Sequence, residues 1–409
     1  MSDLRKLPYK PMPLSALPEA QLLFYCARTT LDESTVKKVQ TVLQQDLDWR
    51  FLLEKADQNC VLPLISRNLL NGFRQSLSHY AIDQLENFER LHTRYNLLQT
   101  GVLIKLLKLL AANRVPAIPI KGPALAVAAY GDSYLRQFGD LDILIPESHI
   151  KVAVKLLRSE GYEPCQEIRW SGRGKIPENC EKDLALVGKG GHIYIELHWR
   201  LSGKNFEYPI DLKHVWETAA SMPLDGTNVL TLPPEELLVY LCMHGSKHCW
   251  ERLQWLADVS ELVKTHRNLD WDCVLRTARS RGCMRALGLG LYLAGELLGA
   301  EIPEKVFKVA ASENIVKHLA DYVREWMLRD PEKAHNTAEW DYVRLQMKER
   351  RRDRIRLHLH HLGRYLRINS RDRAFLSLPA SLSFLYIGIR TLRLANDYAR
   401  LKVKSTGKS

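Results

Sequence analysis

The stretch Ile118-Pro-Ile-Lys-Gly-Pro-Ala-Leu-Ala-Val-Ala-Ala-Tyr-Gly-Asp-Ser-Tyr-Leu-Arg-Gln-Phe-Gly-Asp-Leu-Asp-Ile-Leu-Ile145 constrains this chain more than any other part of it. It reads as a strand, a glycine turn, a helix, and a second strand that opens with two carboxylates. Side chains alternate along a strand, so Asp140 and Asp142 leave on one face, about 7 Å apart, while Leu141 and Ile143 point to the other. The chain must therefore build a sheet here with a polar site on one side and an apolar core on the other.

Two carboxylates facing one way can share divalent metal ions. A glycine at the head of a nearby helix offers free backbone N–H groups to a phosphate. Together they point to a magnesium-dependent site for a nucleoside triphosphate. The sequence supplies its own control, because Asp-x-Asp also occurs at Asp46/Asp48 and Asp270/Asp272. The first lies in a leucine-rich helical region and the second reads as a helix start. Only Asp140/Asp142 runs into a buried strand and has a Lys-Gly turn upstream.

A third carboxylate comes from Ile193-Tyr-Ile-Glu-Leu-His-Trp199. Alternation puts Ile193, Ile195, Leu197 and Trp199 on one face, with Tyr194, Glu196 and His198 on the other. Glu196 reads either as part of the solvated face of an edge strand or as the residue that completes the acidic cluster, a metal ligand or general base.

From about Leu22 to Leu262 the chain resembles the uncharacterised bacterial nucleotidyltransferases of the DNA polymerase β-like superfamily. The resemblance rests on five motifs in order: Lys121-Gly122, Arg136 before Asp140-Leu-Asp142, Glu196-Leu-His-Trp199, His244-Gly-Ser-Lys-His248, and Arg252-Leu-Gln-Trp-Leu-Ala-Asp258. It implies an α+β fold, a small mixed β-sheet core between helical N-terminal and C-terminal regions. It also implies two Mg²⁺ ions on Asp140, Asp142 and Glu196, and transfer of a nucleoside monophosphate from an NTP to an acceptor with release of pyrophosphate. Lys121, Gly122 and Arg136 would bind the nucleotide's phosphates. The superfamily usually has Gly-Gly or Gly-Ser at the phosphate turn; here it is Lys121-Gly122-Pro123, with Lys121 a point charge in place of the hydroxyl.

The 409 residues divide into an extended tail (1–18), a helical N-terminal region (19–113), the core (114–228), a helical region (229–344) and a basic helical C-terminal region (345–409). Within the core, Val115–Ile120 is expected as the first strand and Trp170–Glu181 as a loop, a candidate lid. Residues 345–409 hold 16 Lys and Arg against 4 Asp and Glu, which accounts for the whole net charge of +12. Such a block attracts polyanions, RNA or an anionic membrane surface, or is simply a solvated basic face. Ala374–Ile389 is apolar and reads as a core helix pair or an interfacial helix.

The eight cysteines form no Cys-x-x-Cys pair and read as reduced thiols. With no secretory signal and no run of ~18 apolar residues, a cytoplasmic protein is expected, with the basic block allowing peripheral membrane contact. His244 and His248 stand one helical turn apart, but no glutamate sits at position 245 to make a zinc-protease motif; a structural or acceptor-side pair is favoured. Two other functional classes stay open: an inactive nucleotide- or RNA-binding module, and a kinase on the same fold. The acceptor, whether small molecule, protein or RNA, is not specified by the sequence.

Overall fold

The structure, a computed structural model, describes residues 17–170, 180–203, 208–310, 314–328 and 337–366, together with 386 and 388. Two compact units divide the chain, 1–350 and 351–409. Of the second, the described part is essentially the helix Arg351–Leu366. Residues 1–16 of the expected extended tail, most of the expected lid and nearly all of Ala374–Ile389 lie outside the described residues; the tail's last residue, Pro18, opens a helix instead.

The first unit is α+β. Helices α1 (Pro18–Cys26), α2 (Glu33–Leu43), α3 (Trp49–Gln58), α4 (Leu62–Gly72) and the long α5 (His79–Ala112) precede the sheet. Next come β1 (Ile118–Pro119), α6 (Gly122–Tyr130), β2 (Asp140–Leu144), α7 (Ile150–Ser159), β3 (Tyr162–Pro164), β4 (Asp183–Gly188) and β5 (Tyr194–His198). A short α8 (Leu212–Thr218) and the hairpin β6 (Ala220–Leu224) and β7 (Thr227–Thr231) follow. The unit continues through α9 (Pro234–Lys247), α10 (Leu253–Thr265), α11 (Trp271–Arg281), α12 (Met284–Leu298), α13 (Glu304–Ala310), α14 (Asn314–Trp326) and α15 (Thr337–Met347).

The five-stranded sheet has the order β1-β2-β5-β4-β3. β2 and β5 run parallel, and the other neighbours are antiparallel. β1 is shorter than the expected Val115–Ile120: it is an edge strand ending at Pro119, which has no N–H to give to a ladder.

Strand alternation separates two cores. Leu141, Ile143, Ile145, Ile195, Leu197 and Trp199 pack on one face with Ile150, Val154 and Leu157 of α7 and with Leu103, Leu106 and Leu110 of α5. Leu144, on the opposite face, joins the larger core built with α6, α9, α10 and α12. Leu85 of α5 lies in that larger core, so one helix feeds both. α5 is also the one helix among the described residues long and apolar enough to cross a membrane.

The other two Asp-x-Asp pairs have structural work. Asp48 accepts from Phe51 N–H at 2.9 Å and caps α3, and Asp270 caps α11 through Cys273 N–H at 2.9 Å. The first pair thus sits before a helix and not within one.

Candidate active site

β2 and β5 place the acidic residues. In their parallel register Asp140 lies opposite Tyr194, Asp142 opposite Glu196, and Leu144 opposite His198. Asp142 and Glu196 are therefore cross-strand neighbours on one face, although 54 positions separate them in the sequence. Asp142 is only 2% exposed. A carboxylate buried so deeply requires partners on both oxygens. His198 Nε2 lies 2.8 Å from Asp142 Oδ1, and Lys121 Nζ lies 3.5 Å from Oδ2. The same His198 nitrogen is 3.2 Å from Glu196 Oε2.

These neighbours split the carboxylates electrostatically. Burial alone would raise Asp142, but Lys121 and His198 outweigh it and hold its carboxyl well below the ordinary range. Asp140 moves the other way, raised first by burial and then by the Asp142 charge. Burial pulls the His198 imidazole down, yet its bonds to Asp142 and Glu196 prevail and hold it above the usual histidine value. Lys121 is likewise held up, Asp142 outweighing its burial.

Gly122 opens α6 with φ of +59°, a left-handed conformation that a side chain disfavours. A Cβ there would come within 3.5 Å of the Asp140 carbonyl oxygen. The phosphate-type turn and the start of β2 are thus packed against each other. α6 begins at Gly122, with Pro123 in its first turn, where the missing N–H costs no hydrogen bond.

Arg136, expected at the phosphates, is 4% exposed and faces Asp258 of α10. Its Nε and Nη2 donate to the two Asp258 oxygens at 2.8 and 3.0 Å, and Tyr130 Oη donates to Oδ1 at 2.8 Å. Asn96 Nδ2 donates to the Ser133 and Arg136 carbonyls from α5, and Gln254 Nε2 donates to Gln137 O from α10. The loop that delivers Asp140 is clamped from two helices. Arg136 acts in that clamp, and its charge is answered by Asp258.

Among the described residues one cluster of possible metal ligands occurs: Asp142, Glu196 and His198, whose donor atoms all lie within 4.8 Å of one another. Asp140 stands one pleat upstream, outside this close set. His198 is a site residue that the sequence does not single out, although alternation already puts it on the face of Glu196. Asp183 is another: it pairs directly with His198 across β4 and β5, its Oδ2 3.7 Å from His198 Nδ1.

His244 and His248 have ring centroids 4.8 Å apart and surround Trp255, at 5.5 and 5.1 Å. Burial first, then Lys121 for His244 and Lys247 for His248, pushes both imidazoles down, His248 to about 3. They form a neutral aromatic group at ordinary pH.

A carboxylate pair on a central strand, a third carboxylate beside it and a glycine-headed helix on a small mixed sheet define a nucleotidyltransferase-like arrangement. The chain belongs to a family of uncharacterised nucleotidyltransferases, whose model matches residues 45–299, more than half of the sequence. Similar solved structures include an antigenic nucleotidyltransferase-like protein from Paracoccidioides brasiliensis, with 15% identity, 52% of this chain and 96% of that one covered, and a TM-score of 0.28. Another is JHP933 from Helicobacter pylori, with 14% identity, 60% and 97% covered, and a TM-score of 0.26. No curated protein matches the sequence.

Proposed function

We propose that this protein is a nucleotidyltransferase of the DNA polymerase β-like kind, moving a nucleoside monophosphate from an NTP to an acceptor hydroxyl and releasing pyrophosphate. The observation that carries this reading is the cross-strand pairing of Asp142 with Glu196, with Asp140 two residues upstream and the Gly122 turn against it. Carboxylate oxygens are the donors that Mg²⁺ prefers. Three carboxylates gather beside Lys121 and His198, and the Asp142 charge adds to burial in raising Asp140. A bound cation would relieve that repulsion.

Asp140, Asp142 and Glu196 would hold the Mg²⁺ ions, two by the family resemblance, which when bound stabilise charge developing on the α-phosphate. Glu196, 35% exposed at its side chain, is the carboxylate open to an acceptor and the candidate to take its hydroxyl proton. Lys121 and the N–H groups at the head of α6 would receive the outer phosphates. Arg136 contributes by fixing the loop ahead of Asp140.

One observation favours a non-catalytic nucleotide-binding reading: Lys121 and His198 already answer both oxygens of Asp142 without an ion. Incubation with α-labelled and γ-labelled NTPs, Mg²⁺ and a cell extract decides the matter. Label from the α-position on an acceptor with pyrophosphate released supports nucleotidyl transfer. A nucleoside diphosphate product means a kinase, and nucleotide binding without product means a binding module.

A further inference from the structure

His198 is 5% exposed and lies on the carboxylate face of the sheet. A buried histidine with a purely packing role needs one or two hydrogen bonds, and a backbone carbonyl serves for each. This one has carboxylates at both ring nitrogens. On the Nε2 side Asp142 Oδ1 stands at 2.8 Å and Glu196 Oε2 at 3.2 Å. On the Nδ1 side Asp183 Oδ2 stands at 3.7 Å, brought there by direct pairing of Asp183 with His198 across β4 and β5. Asp183 is anchored in turn by Lys182, at 2.7 Å.

The Nε2-side spacing has a second meaning. An octahedral ion with bonds of about 2.1 Å has neighbouring ligands about 3 Å apart. Asp142 Oδ1, Glu196 Oε2 and His198 Nε2 already stand near that separation about His198. On the Nδ1 side Asp183 stands 3.7 Å away, just beyond hydrogen-bond reach, where a small shift lets it accept from Nδ1–H and fix the tautomer, as the carboxylate behind a metal-bound histidine does.

We infer that His198 is a direct ligand of the site's metal ion through Nε2, the ion displacing to solvent the Nε2 proton that otherwise bonds to Asp142 and Glu196, with Asp183 as the carboxylate behind it. This rests on the reading of the cluster as a metal site and adds a nitrogen donor to the three carboxylates. A mixed set of carboxylate and imidazole suits Mn²⁺ better than Mg²⁺, which favours oxygen and keeps its waters. The site therefore prefers Mn²⁺ over Mg²⁺.

The test uses the full chain and Mn²⁺ alone, followed by electron paramagnetic resonance, with uniform ¹⁵N-histidine labelling of the wild-type protein. Electron spin-echo modulation from a directly bound nitrogen is expected, and it should change to the ¹⁵N pattern on labelling. That arm needs no substitution, so a variant that fails to fold cannot blur it. In His198→Gln the modulation should vanish. Asp183→Asn should weaken Mn²⁺ binding by about 10–100-fold, and Mg²⁺ competition should change far less in both variants. Mn²⁺ that binds in an Asp142-dependent way with no histidine coupling would overturn the His198 assignment and leave the metal-site reading intact. Coupling that survives in His198→Gln would also overturn it, since another histidine supplies the nitrogen. Wild-type protein that binds no Mn²⁺ at all would sink both readings together.

Discussion

Asp140 and Asp142, two residues apart, are expected to respond to removal in opposite ways. Asp142 is the counterion of two buried cationic groups, whereas Asp140 is repelled by its neighbour. Asp140→Ala is expected to leave the melting temperature unchanged or higher. Asp142→Ala strands Lys121 and His198 and should cost on the order of 3 kcal/mol, read by denaturant unfolding. Both should lower turnover by about 10³-fold or more in the α-label assay. Equal stability of the two variants would contradict the charge arrangement described above.

Lys121→Ala should weaken binding of a non-hydrolysable NTP by ~1.5–3 kcal/mol, the worth of one charge-assisted hydrogen bond. Titration by calorimetry measures it, and a change below ~0.5 kcal/mol would leave Lys121 a partner of Asp142 alone. His248 gives a pH signature. Its folded pKa of about 3 lies below the ~6.5 of an unfolded histidine, so the folded state disfavours its proton. The stability it preserves is complete above about pH 6.5 and is lost as the pH falls toward 3. The drop in melting temperature between about pH 7 and about pH 4 should be smaller in His248→Gln than in wild type.

At the scale of elements, the site depends on the loop that leads into β2. The Arg136–Asp258 bond joins the segment before β2 to α10, with both groups buried. Asp258→Asn leaves Arg136 short of its counterion and should cost about 3–5 kcal/mol. It should also reduce kcat at saturating nucleotide, because Asp140 loses its fixed approach; unaltered kcat in the folded variant would mean that β2 alone positions the carboxylates. Much of this scale was legible in the chain. Period-two alternation in Asp140–Ile145 and Ile193–Trp199 determines which side chains share a face, since a strand offers only two. It could not supply the register of β2 on β5, which depends on strands meeting far apart in sequence. Nor could it disclose that Arg136 turns inward, because a guanidinium four residues before Asp140 has the same local pattern whether it meets a phosphate or a distant Asp258. His198 carried a signal in its shared face with Glu196, but one histidine in a strand is commonly a packing residue.

Across the whole molecule, charge is segregated: 1–344 is neutral and 345–409 carries the excess. Not every arginine of the basic cluster is available to a partner. Arg350 Nη2 donates to the Arg279 and Ser280 carbonyls at 2.7 Å each, closing the C-terminal end of α11. Replacing Arg351, Arg352 and Arg356 with Gln therefore tests for a polyanion partner without disturbing the Arg350 contact. Binding to RNA or anionic vesicles should weaken, and the log–log salt slope should flatten by roughly 0.7–0.9 for each phosphate no longer neutralised. Turnover with a small soluble acceptor should stay unchanged.

The distances along the chain that the site bridges also set when it can exist. His198 meets Asp142 across 56 positions and Asp258 meets Arg136 across 122. As the protein is synthesised, Asp140 and Asp142 emerge after Lys121 but well before His198. Glu196 and His198 follow only after the whole of α7, β3 and β4, and the clasp on the loop waits for α10. Pairings of such long range form late, after their loop-closure entropy has been met. A nascent or truncated chain that stops before Asp258 carries the carboxylate pair without its final geometry, which is complete only when most of the molecule has left the ribosome.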